Sequence, residues 1–391
     1  MKKRLLMVEI LKAARQFPVV VLTGPRQSGK TTLLKMLPRR TDYHLLEDPD
    51  ELERVKSDPK GWLASCRPPV VIDEIQHAPE LFPYIRSRVD RDRKAGQWFL
   101  TGSQDFGLMS GVTESMAGRA AILHLMPFSF SEIYGHATIP WNTARRHLIQ
   151  GFYPAPALAK ASPELWFKSY LQTYIERDVR QVAQIEDLLT FRRFVNLCAA
   201  RAGQILNMSD MAAPLGVSVP TIKRWLSILE LTGQIILVPP YFSNLGKRLI
   251  KSPKLYFGDV GLLTYLLNLD SVTRALKSPF AGILFEHLVL SELLKSQTHN
   301  GRRPEIYFFR DQTGLEIDFL FPSKGRTWLI EVKLTSTPLP RMAKSIQSLL
   351  PKIHHRSFVS ACVVTPAGPD TVLAPGVVTQ SLGKFCRTPQ R

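Results

Sequence analysis

The sequence predicts an α/β multidomain chain, and three observations predict it. Residues 19–37 read as strand, glycine-bearing loop and helix, residues 164–226 carry apolar side chains at helical spacing, and residues 306–333 alternate with the period of a strand. At 391 residues the chain is too long for one ordinary core, and about two to three domains is the expectation from length. The segments fall at 1–135, a parallel sheet with helices on both faces; 136–163, a linker with short helices; 164–270, mainly helical; and 271–391, a second α/β region. Composition is globular, 45% hydrophobic and 21% charged, without low-complexity tracts or internal repeats.

The first strand, the Val-Val-Val-Leu run at 19–22, opens into Gly24-Pro25-Arg26-Gln27-Ser28-Gly29-Lys30-Thr31, a complete G-x-x-x-x-G-K-[ST] motif. Thr32 begins a helical run that Pro38 stops, so the strand–loop–helix context that the motif requires is present. Residues 24–32 therefore read as a nucleotide-phosphate cradle. Gly24 and Gly29 allow backbone geometry closed to other residues, which lets amide N–H groups face phosphate oxygens. Lys30 reaches the β- and γ-phosphates, the Thr31 hydroxyl suits Mg²⁺, and the helix terminus adds partial positive charge.

The next strand, Val70-Val71-Ile72-Asp73-Glu74, follows Pro68-Pro69 and ends in two carboxylates, with Asp73 43 residues after Lys30. This is a Walker B pattern: Asp73 is expected to hold Mg²⁺ through water, and Glu74 to orient or deprotonate the attacking water. A further strand, Gln97-Trp98-Phe99-Leu100, ends in Thr101-Gly102-Ser103-Gln104, where Thr101 and Ser103 are the polar groups expected to sense the γ-phosphate. Arg119, before the run at 121–125, is a candidate arginine finger, in cis or from a neighbouring subunit, and the second case would imply a homo-oligomer. The cations Arg86, Arg88, Arg91, Arg93 and Lys94, interrupted by Asp90 and Asp92, read as a solvated helix face.

The middle segment begins with apolar residues at helical spacing, Leu165, Tyr170, Leu171, Tyr174, Ile175 and Val179, and a second helix continues through Phe191, Phe194, Val195, Leu197 and Cys198. Residues 208–226 then read as a helix-turn-helix, with a turn at Gly216 and a second helix capped by Ser218 with Pro220 in its first turn. Strands at 235–238 and 255–257, with Lys247, Arg248 and Lys251 between them, would form a wing. On DNA, Ser218, Thr221, Lys223 and Arg224 would face the major groove and the wing cations the phosphates; a lid or docking role is the alternative.

In the last segment an amphipathic helix carries Glu286, and strands at 306–309, 315–320 and 328–333 follow. Alternation puts Glu331 and Lys333 on one strand face, with Asp318 on the neighbouring strand 13 residues before Glu331. The pattern is a D…E-x-K nuclease core. Glu286, Asp318 and Glu331 are the expected ligands of a second divalent cation, Mg²⁺ or Mn²⁺, and Lys333 would orient the attacking water and offset phosphate charge. Gln347 in the following helix is a further polar candidate.

The formal net charge is +18, and residues 271–391 hold 16 basic against 8 acidic residues. Such an excess favours a polyanion, DNA ahead of RNA, through counterion release, with plain solubility charge as the alternative. No run approaches the roughly 18 apolar residues of a membrane span, and Glu9 ends the N-terminal apolar stretch too early for a signal peptide, so a cytoplasmic location without membrane partners is expected. Cys66, Cys198, Cys362 and Cys386 have no C-x-x-C spacing, so they point neither to a zinc site nor to a disulfide framework.

Taken together, residues 24–32, Val71-Ile72-Asp73-Glu74-Ile75-Gln76, Leu100-Thr101-Gly102-Ser103, Ala117-Gly118-Arg119, Tyr174-Ile175-Glu176-Arg177-Asp178, residues 251–262, Phe285-Glu286, Glu316-Ile317-Asp318 and Glu331-Val332-Lys333 give a resemblance. Over essentially its whole length the chain resembles the bacterial and archaeal AAA-superfamily P-loop ATPases that carry a winged helix and an uncharacterised C-terminal domain with restriction-endonuclease-like motifs. The resemblance implies ATP binding with Mg²⁺, ATP hydrolysis, a winged-helix segment and a nuclease-like C-terminal domain. One departure is Phe152 in Gly151-Phe152-Tyr153-Pro154, where the family more often has a second glycine, and altered loop flexibility is the expected effect. The leading expectation is an ATPase that couples nucleotide state to DNA binding or processing. The alternative is an ATP-dependent switch acting through protein or DNA binding, with a catalytically inactive nuclease-like domain.

Overall fold

The computed structural model describes residues 2–38, 40–102, 116–135, 137–174, 187–241, 252–323, 325–353 and 358–387. They form two compact units, one of residues 1–127 with 231–233 and 297–303, the other of residues 128–230, 234–296 and 304–391. Ser103, Glu176, Arg177, Asp178, Lys247, Arg248 and Lys251 lie outside the described residues. Among those described, no helix is long and apolar enough to cross a membrane.

The first unit is built on five strands: β1 (Val19–Thr23), β2 (Asp42–Leu45), β3 (Val70–Asp73), β4 (Trp98–Thr101) and β5 (Ala120–His124), ordered β2-β3-β4-β1-β5 and parallel throughout. Apolar residues fill both faces of the central strands, as parallel sheets covered by helices require. Val19, Val21, Val70, Ile72, Trp98 and Leu100 pack with residues of helices α3 (Pro49–Ser57), α4 (Pro59–Ser65) and α5 (Leu81–Arg91), among them Val55, Trp62, Phe82 and Ile85. The alternate residues Val20, Leu22, Val71 and Phe99 pack with Leu6 and Ile10 of α1 (Leu6–Ala13) and Leu33 and Leu34 of α2 (Lys30–Leu34). Helices α3 and α4 each start on an aspartate cap followed by proline: Asp48 accepts from the N–H of Asp50 and Asp58 from that of Gly61.

In the second unit the stretch expected as a linker folds into short helices, Trp141–Ala144, His147–Gln150 and Pro154–Ala157. Phe152 is fully buried there, stacked on His147 and edge-on to Phe130. Helix α6 (Pro163–Thr173) buries Phe167 and Tyr170, while Leu165, expected on its inner face, is 65% exposed. The buried stripe runs 167, 170, 174, the spacing of successive turns on one face, and Leu165 lies off it.

Helix α7 (Leu188–Ala200) supplies Phe191 and Phe194, whose rings lie 5.4 and 5.2 Å from that of Trp225. Trp225 belongs to α9 (Val219–Leu231), which follows α8 (Met208–Ala212) across a turn where Gly216 has φ +66°. Asn207 caps α8 through the N–H of Ser209, and the Ser218 hydroxyl accepts from the N–H of Thr221. Strands β6 (Ile235–Val238) and β7 (Lys254–Phe257) pair antiparallel, Ile235 opposite Phe257.

The carboxyl-terminal sheet is mixed, ordered β12-β13-β11-β10-β9-β8 from β8 (Tyr307–Arg310), β9 (Glu316–Ser323), β10 (Arg326–Val332), β11 (Phe358–Thr365), β12 (Val372–Ala374) and β13 (Val377–Ser381). Its order and register put β9 antiparallel to β10, with Ile330 opposite Phe319. Helix α11 (Ala281–Thr298), expected to be amphipathic, is buried on nearly every side, because β7 and β9 meet it near Glu286 while Glu292, further along, receives the N–H of Phe130. Helix α10 (Val260–Leu266) starts at Asp259, which is 1% exposed and whose carboxylate accepts from the N–H groups of Gly261 (2.8 Å), Leu262 (3.3 Å) and Phe152 (2.7 Å). Asp259→Ala leaves three buried N–H groups without an acceptor, and chemical denaturation is expected to register a loss of about 2–4 kcal/mol.

Candidate functional site

The carboxyl ends of β1, β3 and β4 converge because β4 lies between the other two, with Leu22 in register with Thr101 and Ile72 with Leu100. The loop after β1 has a shape that only glycine permits at two points. Gly24 has φ +145°, and a Cβ there would stand 2.2 Å from the carbonyl oxygen of Leu125; Gly29 has φ +98°. Lys30 is buried at the start of α2 and its ammonium donates to the carbonyls of Gly24 (3.0 Å) and Pro25 (3.1 Å). The Ser28 hydroxyl is fully buried and without a hydrogen-bond partner among the described residues.

Around Asp73 the polar groups are tightly linked. The buried Thr101 hydroxyl donates to one carboxylate oxygen of Asp73 and accepts from the backbone N–H of Glu74 (3.1 Å). Glu74 has a left-handed backbone (φ 60°, ψ 47°), a conformation that costs free energy in a residue with a side chain and that clusters at functional sites. Its carboxylate is held by the Gln76 amide. Tyr43, on β2, donates to the other Asp73 oxygen at 2.5 Å and also reaches the Thr31 hydroxyl; burial first, then Asp73, raises the phenol well above its usual range. Thr31 and Asp73, two hard oxygen groups of the kind that suits Mg²⁺, thus both meet the Tyr43 hydroxyl.

Three neighbours of the loop escaped the sequence reading. Arg4 is buried and donates to the carbonyls of Ser28 (2.8 Å) and Met126, fixing the loop from below, although in the sequence it is one cation of a basic N-terminal run. His124, at the end of β5, sits 3.2 Å from the Thr23 hydroxyl, and burial with Lys30 nearby pushes it down to about 4. Tyr43 carries no motif; only the strand pairing of β2 with β3 reveals it.

Arg119 does not reach the loop. It precedes β5 at the amino-terminal edge of the sheet, where Val19 pairs with Ala120, about five residues or ~16 Å of strand from the phosphate loop. There it makes a bidentate pair with Asp90 (2.6 and 3.0 Å) and donates to the carbonyl of Ala117. The expectation of a cis arginine finger is therefore corrected: parallel strands put the two ends of β5 on opposite edges of the sheet, and Arg119 is at the far one.

In the second unit Glu286, Asp318, Glu331 and Lys333 form one cluster, in which Glu331 is buried and the other three are half-buried. Asp318 accepts from the Val332 N–H at 2.8 Å, and the Lys333 ammonium lies 2.6 Å from one Glu331 oxygen, whose other oxygen is buried without a partner among the described residues. Strand β7 adds two groups that the spacing of acidic residues did not single out. The Tyr256 hydroxyl donates to Glu286, and the buried Lys254 pairs with Glu316. Burial, with Asp318 beside them, pushes Glu286 up to about 8 and Glu331 up to about 7, and burial raises Asp318 as well. Burial acts to lower Lys254 and Lys333, but the surrounding carboxylates outweigh it and raise both. The hard-oxygen donors and the orphaned Glu331 oxygen suit a divalent cation. Their spacing is wider than a closed shell: among the described residues, Asp42, His44 and Cys66 are the group of three such side chains whose donor atoms all lie within 4.8 Å of one another. Gln347, the further polar candidate, is exposed. So are Ser218, just before α9, and Lys223 and Arg224 within it, with Thr221 half-buried.

A parallel sheet with this order, a glycine-bearing phosphate loop and an Asp-Glu strand end between them define an AAA-type P-loop ATPase domain. Residues 16–134 match the AAA domain family, residues 142–273 a domain of unknown function (DUF8612), and residues 281–378 another (DUF4143). Two relatives, uncharacterized protein Mb2031c of Mycobacterium bovis and uncharacterized protein Rv2008c of Mycobacterium tuberculosis, are each 30% identical over 387 residues, 95% of this chain and 84% of theirs. The chain belongs to their family, and its amino-terminal domain is an AAA-type P-loop ATPase domain. Among solved structures, the Walker-type ATPase of Pyrococcus abyssi is similar at 13% identity, over 67% of this chain and 94% of that one, with a TM-score of 0.45.

A carboxyl raised by folding favours the folded state while protonated, a contribution complete below about pH 4.5 and lost as pH rises through 7 to 8. In EDTA the melting temperature of the wild type is expected to fall from pH 5 to pH 8, and Glu331→Gln to flatten that fall. Thermal denaturation across the range checks it, and identical slopes for the two proteins would contradict it.

Proposed function

We propose that this protein is a Mg²⁺-dependent ATPase that couples nucleotide state to the binding or processing of DNA by its carboxyl-terminal half. The observation that carries the ATPase reading is the linked set of Asp73, Glu74 and Thr101 at the strand ends beside Lys30 and Thr31. Residues 24–32 would cradle the phosphates, through their backbone N–H groups at every position but Pro25, with Lys30 turning from the loop carbonyls to the β- and γ-phosphates. Mg²⁺ held between Thr31 and Asp73 would offset phosphate charge. Glu74, oriented by Gln76, would position or deprotonate the attacking water, and Thr101 would link the γ-phosphate to both carboxylate residues; Ser103 is proposed for the same sensing role.

For the carboxyl-terminal half, Glu286, Asp318, Glu331 and Lys333 support a nuclease-type arrangement, with Glu331 and Lys333 acting at the phosphate and the three carboxylates as ligands of a divalent cation. The exposed residues Ser218, Lys223 and Arg224, together with Thr221, would meet DNA bases, with Lys247 and Arg248 on phosphate. The wide spacing of the carboxylates favours a second reading, in which nucleotide occupancy switches partner binding and the nuclease-like domain is inactive.

ATP binding and turnover test the first part. Lys30→Ala is expected to lose ATP binding. Glu74→Gln is expected to keep it while turnover falls by about 10²–10⁴-fold. Equal ATP affinity for Lys30→Ala and wild type would sink both readings. The two readings separate on DNA. Metal-dependent cleavage that disappears in Glu331→Ala and Lys333→Ala, with DNA-stimulated ATP turnover, supports processing; turnover indifferent to DNA, without cleavage in Mg²⁺ or Mn²⁺, supports the switch. Charge reversal at Lys223 and Arg224 is expected to weaken DNA binding and flatten its salt dependence.

A further inference from the structure

We propose that Asp42, His44 and Cys66 form a binding site for a borderline-soft divalent transition-metal ion of the zinc class, separate from the nucleotide site. Alternation along β2 puts Asp42 and His44 on one face of the strand and Tyr43 on the other. Cys66 follows the last residue of α4, and the donor atoms of the three side chains lie within 4.8 Å of one another. Nothing in their sequence spacing announces the set, because strand pairing and the turn out of α4 bring it together.

The surrounding hydrogen bonds orient each donor inward. One Glu51 oxygen lies 2.6 Å from His44 Nδ1, so Nδ1 carries the proton, and that oxygen also accepts from the Trp62 indole at 3.0 Å. In the neutral ring Nε2 presents its lone pair to the site. Nε2 is buried, has no hydrogen-bond partner among the described residues, and lies 3.3 Å from Asp42 Oδ1. Asp42 Oδ2 accepts from the Arg67 N–H at 2.9 Å, which fixes the carboxylate with Oδ1 toward the histidine.

Two electron-rich atoms facing each other across 3.3 Å need a proton or a cation between them, and the sulfur at the same corner favours the cation. A carboxylate holding the far nitrogen of a ligating imidazole is the usual support of such sites. The Cys66 thiol makes only a 3.4 Å contact to the Trp62 carbonyl, and burial pushes it up to about 12. A bound ion would deprotonate it. One oxygen, one nitrogen and one sulfur ligand suit zinc or cobalt, whereas magnesium takes oxygen alone. Metal–ligand bonds of about 2.0–2.3 Å would draw the donor atoms closer than they stand, and three protein ligands would leave a fourth position open. The ion would staple the edge strand β2 to the connection between α4 and β3, and so hold the strand that carries Tyr43 against Asp73.

Cobalt(II) added to the EDTA-stripped full chain without nucleotide tests the site. The expected result is one equivalent bound, with a thiolate-to-cobalt charge-transfer band in the near ultraviolet. Cys66→Ser and His44→Gln are expected to lose the band and to weaken zinc binding at least tenfold, with Cys66→Ala standing in if the serine variant does not fold. Lys30→Ala and Glu331→Gln are expected to keep the band, which separates this ion from one at the nucleotide site or the carboxyl-terminal cluster. A wild type without a sulfur band, or a band that survives removal of Cys66, overturns the proposal whatever the outcome for ATP turnover.

Discussion

The position of β4 between β1 and β3 is the constraint on which the nucleotide site depends. Parallel pairing aligns the carboxyl ends of all three strands, so Thr101 falls beside Asp73 and both lie next to the loop that follows β1. The alignment is held by apolar residues on both faces of the sheet, with alternate residues packing under different helices. Shifting one strand by a residue would exchange its faces and move the hydroxyl of Thr101 away from the carboxylate it bonds. The packing of the core and the geometry of the site are therefore one requirement.

The same alignment explains why the cationic groups divide as they do. Lys30 and Arg4 are buried at the loop, where carbonyl oxygens of Gly24, Pro25, Ser28 and Met126 receive them. Arg119 is at the other edge of the sheet and is held by Asp90. A strand end decides which chemistry an arginine can serve, and its distance along the chain from a motif says little about that.

The second unit concentrates charge in its interior. Glu292 receives the Phe130 N–H, Lys295 lies 3.5 Å over the Phe152 ring, and Asp259 satisfies three N–H groups. Those groups have partners and hold packing together. Glu286, Asp318 and Glu331 differ in standing together: burial raises all three, the Asp318 charge raises Glu286 and Glu331 further, and one Glu331 oxygen has no partner among the described residues. A cluster raised by its own neighbours is the arrangement that a cation or a phosphate-bearing ligand would relieve, which is why it is the stronger functional candidate of the two.

The sequence by itself determined the phosphate loop, the Asp-Glu strand end and the E-x-K strand, because each is a local pattern whose chemistry depends on neighbours within a few residues. It also carried the two helices on either side of Gly216, through that glycine and the Ser218 cap. Tertiary structure alone decided the rest. It exposed Leu165, buried Phe152 in a ring cluster, made α11 buried on nearly every side and sent Arg119 to the far edge. It also brought Tyr43 to Asp73, Tyr256 to Glu286, and Asp42, His44 and Cys66 to one another. These meetings depend on which strands pair and in what register, a property of long-range packing that local periodicity does not encode.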